Sequence, residues 1–164
     1  MIQRDIYSSY YEYNSLDELP ENDKTLVQKA MKACKNAYAP YSGFSVGAAL
    51  ELSNNVIIEG SNQENSAYPS GLCAERVALF AAGSSYPEIP ATSLAIAAFS
   101  NGSYTSTPVK PCGSCLQVLA ETEQRYNTEV RVILYGEQSI YLLEGVKNLL
   151  PMAFIKSEFF VKRG

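Results

Sequence analysis

Cys73-Ala74-Glu75-Arg76, followed by Pro111-Cys112-Gly113-Ser114-Cys115 with Cys112 39 residues after Cys73, decides the reading of this chain. The three cysteines are candidate thiolate ligands, and Glu75 is a carboxylate set among them that is not a ligand. Three protein ligands leave a tetrahedral zinc with one open position, which a water can occupy. Glu75 is placed to handle that water's protons. The same stretch bears on the fold. Proline is favoured in the first turn of a helix, so Pro111 is expected to seat Cys112 at a helix N-terminus, while Cys73 opens a second helix running to about residue 82. Two helix N-termini then face one metal, and their partial positive charge, with the metal's own, holds the sulfurs as thiolates.

Charge adds a constraint. A zinc dication with three thiolates is net negative, which weakens it as a Lewis acid relative to a site using neutral imidazole. Arg76, on the same helix as Cys73, is the candidate counter-charge, donating to a thiolate sulfur beside the metal. The chain has no histidine, so neither a histidine ligand nor a histidine base is available, and the proton shuttle falls to Glu75. Each residue also has a plainer reading. Cys-x-x-Cys alone fits a redox pair or half of a structural zinc knuckle, and Cys34 would complete a closed four-cysteine site. Glu75 and Arg76, taken singly, are a solvated helix charge and a surface partner. Their joint placement sets them apart.

Outward from the cysteines, the chain reads as alternating strands and helices. Leu26, Val27, Ala30, Met31, Cys34 and Tyr38 recur at helical spacing from Asp23 until Pro40 stops the pattern, which puts Cys34 on an apolar stripe. Residues 44–52 and 56–60 form a predicted hairpin turning at Ser53-Asn54-Asn55, where asparagines tolerate positive φ. Residues 94–99, 130–135 and 140–143 read as strands, 111–124 as a helix and 146–150 as a short one. A hairpin followed by such alternation argues for an α/β fold, a mixed central sheet with helices packed across it. Residues 2–13, rich in tyrosine, read either as an edge strand or as a loose arm.

With 164 residues and 46% hydrophobic content, one core suffices, and 1–164 is read as a single domain with residues 1–22 an N-terminal extension of unassigned role. No apolar run approaches the roughly 20 residues that span a bilayer, and Met1-Ile2-Gln3-Arg4-Asp5 lacks the zones of a signal peptide, so a cytoplasmic protein without membrane contact is expected. Asn101-Gly102-Ser103 then fits a glycosylation sequon by accident. The net charge is −4 and the pI about 4.9, with Lys and Arg scattered, so a nucleic acid finds little footing and a small neutral substrate suits the surface better.

Five ordered motifs carry a family resemblance: Ala39-Pro40-Tyr41-Ser42-Gly43-Phe44-Ser45-Val46-Gly47-Ala48-Ala49-Leu50, Asn62-Gln63-Glu64-Asn65-Ser66-Ala67-Tyr68, the two cysteine motifs, and Leu149-Leu150-Pro151-Met152-Ala153-Phe154. Over about residues 30–154 the chain resembles the small cytidine deaminases of the all-cysteine, homotetrameric type, and the cysteine pattern is that of zinc-dependent deaminases. The resemblance implies the three-layer deaminase fold and one Zn2+ per subunit on Cys73, Cys112 and Cys115, with Glu75 as acid/base. It further implies Phe44 near the pyrimidine ring, Asn62 and Glu64 on the ribose 3′-hydroxyl, and backbone contacts from Ala74 and Cys112 to the base. Tyr68 and Phe154 would reach a neighbouring subunit's pocket in a homotetramer with shared active sites. For Phe154 alone, core packing is the simpler reading, as a polar loop is for Asn62 and Glu64 when the flanking motifs are set aside. The implied reaction is hydrolysis of cytidine and 2′-deoxycytidine to uridine and 2′-deoxyuridine in pyrimidine salvage. An aminonucleoside-antibiotic deaminase of the blasticidin S type, or a non-catalytic zinc-binding module, are the alternatives. Nucleic-acid editing deaminases usually begin their ligand set with histidine and need a basic groove, which this chain lacks. Leu116 departs from the family pattern, where many relatives carry arginine.

Overall fold

The stripe beginning at Leu26 becomes one face of α1 (Glu21–Ala33), with Leu26, Val27 and Ala30 fully buried and Glu21 and Asp23 in the first turn, where carboxylates suit the helix dipole. In the computed structural model, which describes residues 1–155, a 3₁₀ turn, Cys34–Asn36, ends this helix. Tyr38 therefore falls off the stripe it was expected to share and is exposed. Its backbone is extended instead and is held by the chain beyond the hairpin, Tyr38 N–H donating to Asn62 O and Tyr38 O accepting from Glu64 N–H.

The strands are β1 (Tyr11–Tyr13), β2 (Ser45–Leu52), β3 (Ile57–Ser61), β4 (Ala91–Ser100), β5 (Ser103–Tyr104), β6 (Arg131–Tyr135) and β7 (Ile140–Glu144); α2 (Ala74–Ser85) joins β3 to β4, and α3 (Gly113–Tyr126) precedes β6. They form a mixed sheet in the order β1-β7-β6-β4-β2-β3, with β5 folded back on β4. The β4–β6 pair is parallel, with Leu94 opposite Val132, and the other pairs are antiparallel. A parallel neighbour needs a crossover, and α3 lies within it.

Period-two alternation sorts the sheet into two faces. Ala49, Ala95, Ala97 and Ile133 turn toward α1, small residues that let the helix lie close. Leu50, Leu94, Ile96, Val132 and Leu134 turn the other way, against Ala74, Ala78 and Ala82 of α2 and Leu116 and Leu119 of α3. The result is three layers, α1 on one side and the two cysteine-bearing helices together on the other. Buried on both faces, β4 reads as a continuous apolar run, and pairing with β2 along its length extends it beyond the expected 94–99.

Asn55, at φ 64°, makes the predicted hairpin turn between β2 and β3. Residues 11–13 are the edge strand, Tyr11 opposite Leu142 and Tyr13 opposite Ile140, while residues 1–10 take no regular structure. The expected helix at 146–150 is a single 3₁₀ turn, Val146–Asn148. No helix among the described residues is long and apolar enough to cross a membrane.

One close approach fixes the start of α2. A Cβ on Gly60 of β3 would lie 2.4 Å from the Ala74 carbonyl oxygen and 2.7 Å from the Ala78 nitrogen, so glycine alone lets the helix seat there.

Candidate active site

Cys73 and Cys112 are the N-cap residues of α2 and α3, both with extended backbone, and Cys115 is the third residue of α3. Pro111 thus lies one residue outside the cap and not in the first turn as expected, because Cys112 takes the extended cap position and Gly113 begins the helix. Cys115 and Cys112 share one side of α3's first turn, and the packing of α2 beside α3 brings in Cys73. All three sulfurs lie within 4.8 Å of one another, Cys73 to Cys112 at 3.8 Å and Cys112 to Cys115 at 3.5 Å. Sulfurs bound at about 2.3 Å to a tetrahedral zinc stand roughly 3.8 Å apart, so the cluster fits that ion. Cys34 lies across the sheet, its thiol donating to Ala97 O at 3.4 Å and Ala30 O at 3.6 Å. The closed four-cysteine site is thereby ruled out.

The charges around the cluster are arranged for thiolates. The Cys73 thiol is held down to about 5, first by its hydrogen bond with Cys115 and then, against the cost of burial, by Arg76 and Cys112. Cys115 is pushed up by the same hydrogen bond and by burial, so it keeps the proton that Cys73 gives up. A divalent cation competes for such protons. Arg76 Nη2 stands 3.8 Å from Cys73 Sγ, and that contact raises its own pKa further. Glu75, in the first turn of α2, is 5% exposed. Burial pushes its carboxyl above the usual range, the negative charge of Cys73 adds to this, and its hydrogen bond with Cys115 opposes it. A carboxyl whose proton is held more tightly than usual is suited to both taking and giving one.

A cleft of about 510 Å³ opens over Cys73 and Arg76, with Asn62 and Glu64 on one wall and Tyr41 and Tyr68 at its rim, their rings edge to face at 6.0 Å. Asn62 accepts Val46 N–H at 2.7 Å and donates to Phe44 O at 2.9 Å, holding the chain at the start of β2. Glu64 accepts the backbone N–H groups of Tyr41 and Ser42 and the Ser42 hydroxyl, which keep its carboxyl below the ordinary range, the hydroxyl most strongly. Phe44 is half-buried beside them. Another cavity, about 310 Å³ under Leu79, Ile89 and Val118, shares no lining residue with the cleft.

The family model described as the cytidine and deoxycytidylate deaminase zinc-binding region matches residues 20–129. The chain belongs to this family. A cytidine deaminase of Halalkalibacterium halodurans is 41% identical over 129 residues, 79% of this chain and 91% of that one. A cytidine deaminase of Sporosarcina psychrophila is 40% identical over 141 residues, 81% and 91% of the two chains. Among solved structures, the cytidine deaminase of Burkholderia pseudomallei superposes with a TM-score of 0.69 at 34% identity, covering 83% of this chain and all of that one.

Two aromatic side chains of this family member stand out on the single chain. Tyr68 is 76% exposed. Phe154 is 55% exposed, which overturns its reading as core; the 151–155 segment runs along the surface, where Phe154 O accepts Gln117 Nε2–H at 2.6 Å. The sequence reading missed Ser42, whose hydroxyl joins Glu64 to the Phe44 backbone. The only available signal was a serine two residues before Phe44, the spacing of a side-chain-to-backbone turn.

Proposed function

We propose that this deaminase is a cytoplasmic enzyme of pyrimidine salvage, replacing the exocyclic amine of cytidine and 2′-deoxycytidine with oxygen to give uridine or 2′-deoxyuridine and ammonia. The observation that carries the reading is the buried Glu75 carboxyl beside three convergent thiols, one of which, Cys73, lines an open cleft. Cys73, Cys112 and Cys115 would hold one Zn2+ per subunit, which when bound would supply the Lewis acidity that makes a water a nucleophile. Glu75 takes the water's proton and delivers one to ring N3, which makes C4 electrophilic. It then passes the water's second proton to the amine, which leaves as ammonia. Water and cytidine thus balance against uridine and ammonia. The raised Glu75 pKa favours a group that must both take and give a proton in one turnover.

On the substrate side, Phe44 packs against the pyrimidine, with the Ala74 and Cys112 backbones contacting the base. Asn62 has one N–H and one lone pair left after its two backbone bonds, and Glu64 about one acceptor position after three, capacity enough for a ribose 3′-hydroxyl. Arg76 is the only cation lining the cleft among the described residues, and it is engaged with Cys73, so a free nucleoside is favoured over a phosphorylated one. Exposed Tyr68 and Phe154 suit a role in a neighbour's pocket, within a homotetramer of shared sites.

Zinc-loaded protein mixed separately with cytidine, deoxycytidine, CMP and blasticidin S is followed by ultraviolet absorbance, with Glu75→Gln in parallel. The expected result is turnover of the two free cytosine nucleosides, lowered about 100- to 10,000-fold in Glu75→Gln at unchanged zinc content. Turnover of blasticidin S alone would make the enzyme an antibiotic deaminase. Silence on all four would leave a zinc-binding module.

A further inference from the structure

The Ser42 hydroxyl, itself lining the cleft, joins the Glu64 side chain on the cleft wall to the backbone of Phe44. It donates to Glu64 Oε1 at 2.5 Å and accepts Phe44 N–H at 3.0 Å. The direction of each bond is fixed by its partner, since a backbone N–H only donates and an ionised carboxylate only accepts. The Ser42 hydrogen therefore lies toward Glu64, and its oxygen closes the turn that carries Phe44, through Gly43 at φ 65°. Both other donors to Glu64, the N–H groups of Tyr41 at 2.9 Å and Ser42 at 3.3 Å, fall on Oε2. Without the hydroxyl the carboxylate is held at one oxygen and can swing about it. With the hydroxyl it is held at both, and its spare acceptor position on Oε1 has a fixed direction.

We propose that Ser42 is a positioning residue for substrate affinity, aiming Glu64 Oε1 at the free secondary hydroxyl of the nucleoside sugar while fixing the turn that presents Phe44 to the base. This rests on the reading in which Glu64 accepts that hydroxyl. Ser42 itself is exposed and belongs to neither core cluster, so its removal leaves the fold intact. Asn62 keeps its own hold on Phe44 O and Val46 N–H, so part of the base side survives as well.

The test compares the zinc-loaded parent protein, Ser42→Ala and Ser42→Thr on cytidine and on 3′-deoxycytidine, with melting temperatures for all three. The expected result is a KM for cytidine about 10-fold higher in Ser42→Ala, equal to about 1.4 kcal/mol, with a much smaller change in kcat and the same melting temperature. The parent's preference for cytidine over 3′-deoxycytidine narrows in Ser42→Ala, and Ser42→Thr, which keeps the hydroxyl, restores both KM and preference. A parent that handles the two nucleosides alike overturns the sugar contact and this inference with it. A parent that discriminates, beside a Ser42→Ala that discriminates equally, overturns this inference alone. So does a loss confined to kcat, or a Ser42→Thr that fails to restore KM.

Discussion

Gly60→Ala tests whether the seating of α2 on β3 sets the geometry of the cysteine cluster. The added Cβ would stand 2.4 Å from Ala74 O, 2.7 Å from Ala78 N and 3.1 Å from Ala78 Cβ, where ordinary contact begins at 3.4 Å. The two nearest atoms are backbone and cannot rotate away, so the first turn of α2 must lift by about 1 Å, the shortfall at Ala74 O. Ala74 lies between Cys73 and Glu75, so both move while Cys112 and Cys115, anchored on α3, stay. A displacement of about 1 Å at reacting groups costs on the order of 100-fold in rate, and overpacking a core contact costs about 1–3 kcal/mol. We expect Gly60→Ala to lose about 100-fold in kcat on cytidine, measured by absorbance, to bind zinc more weakly in a chelator competition, and to keep its helical circular dichroism. Gly83→Ala is the control on the same helix. Its Cβ would meet only Arg125 Nη1 at 3.8 Å, so it is expected to gain about 0.5–1 kcal/mol of stability with unchanged kcat. A folded Gly60→Ala with kcat within about twofold of the parent would show that this contact does not set the site.

Two further predictions concern the opposite face of the sheet. Asp23 of α1 accepts a forked pair from Arg131 of β6, at 3.0 and 2.5 Å, with the Asp23 side chain 5% and Arg131 35% exposed. Asp23→Ala strands that guanidinium, but water and Glu144, 3.7 Å from its Nε, take part of the loss, so the cost stays below that of a fully buried pair, about 2 kcal/mol. Calorimetry should show a melting temperature lower by about 4–8 °C with unchanged kcat; a shift under about 1 °C would refute the pair's role. Burial pushes the Cys34 thiol up from 9.0 to about 11. The folded chain then keeps a proton that the unfolded chain releases, so the contribution is complete below about pH 9 and is lost as pH rises through about 11. The gap corresponds to roughly 2–3 kcal/mol. Urea unfolding of the parent and Cys34→Ala at pH 8.5, 10 and 11 should show the difference between them shrinking across that window. A constant difference would place the thiol in a more polar setting.

Some of this architecture was legible because one local rule dictated it. Cys112 and Cys115, three apart at a helix start, must share a side of the helix, and Asn55 gave the hairpin away through its tolerance of positive φ. The alternation of strands and helices pointed to a mixed sheet, which the layers bear out. Other features depended on distant partners. Tyr11–Tyr13 carry no period of their own and become a strand only against β7, over a hundred residues on. Tyr38 matched the apolar stripe of α1 by spacing, but its backbone is claimed by Asn62 and Glu64. Phe154 reads as core from its chemistry and is exposed because its carbonyl is tied to Gln117 on the surface. The Ser42 bridge needed the Glu64 carboxylate in place before it could be seen.

Leu116 shows how a departure from the family pattern can be absorbed. Three thiolates around a divalent cation leave a net charge of −1, and the resemblance expects an arginine at 116 to help offset it. Leu116 is instead 7% exposed, in one apolar cluster with Leu79 and Leu119, so that position contributes packing and no charge. Arg76 remains, 3.8 Å from Cys73 Sγ, with its Nε buried and unpaired among the described residues. The N-termini of α2 and α3 add about half an elementary charge each, with Cys73 and Cys112 at their caps. With a divalent cation bound, the cluster would carry −1, and Arg76 with the two helix ends would set about +2 beside it without any charge from position 116. The leucine is then a packing choice, and the sulfurs keep their counter-charge.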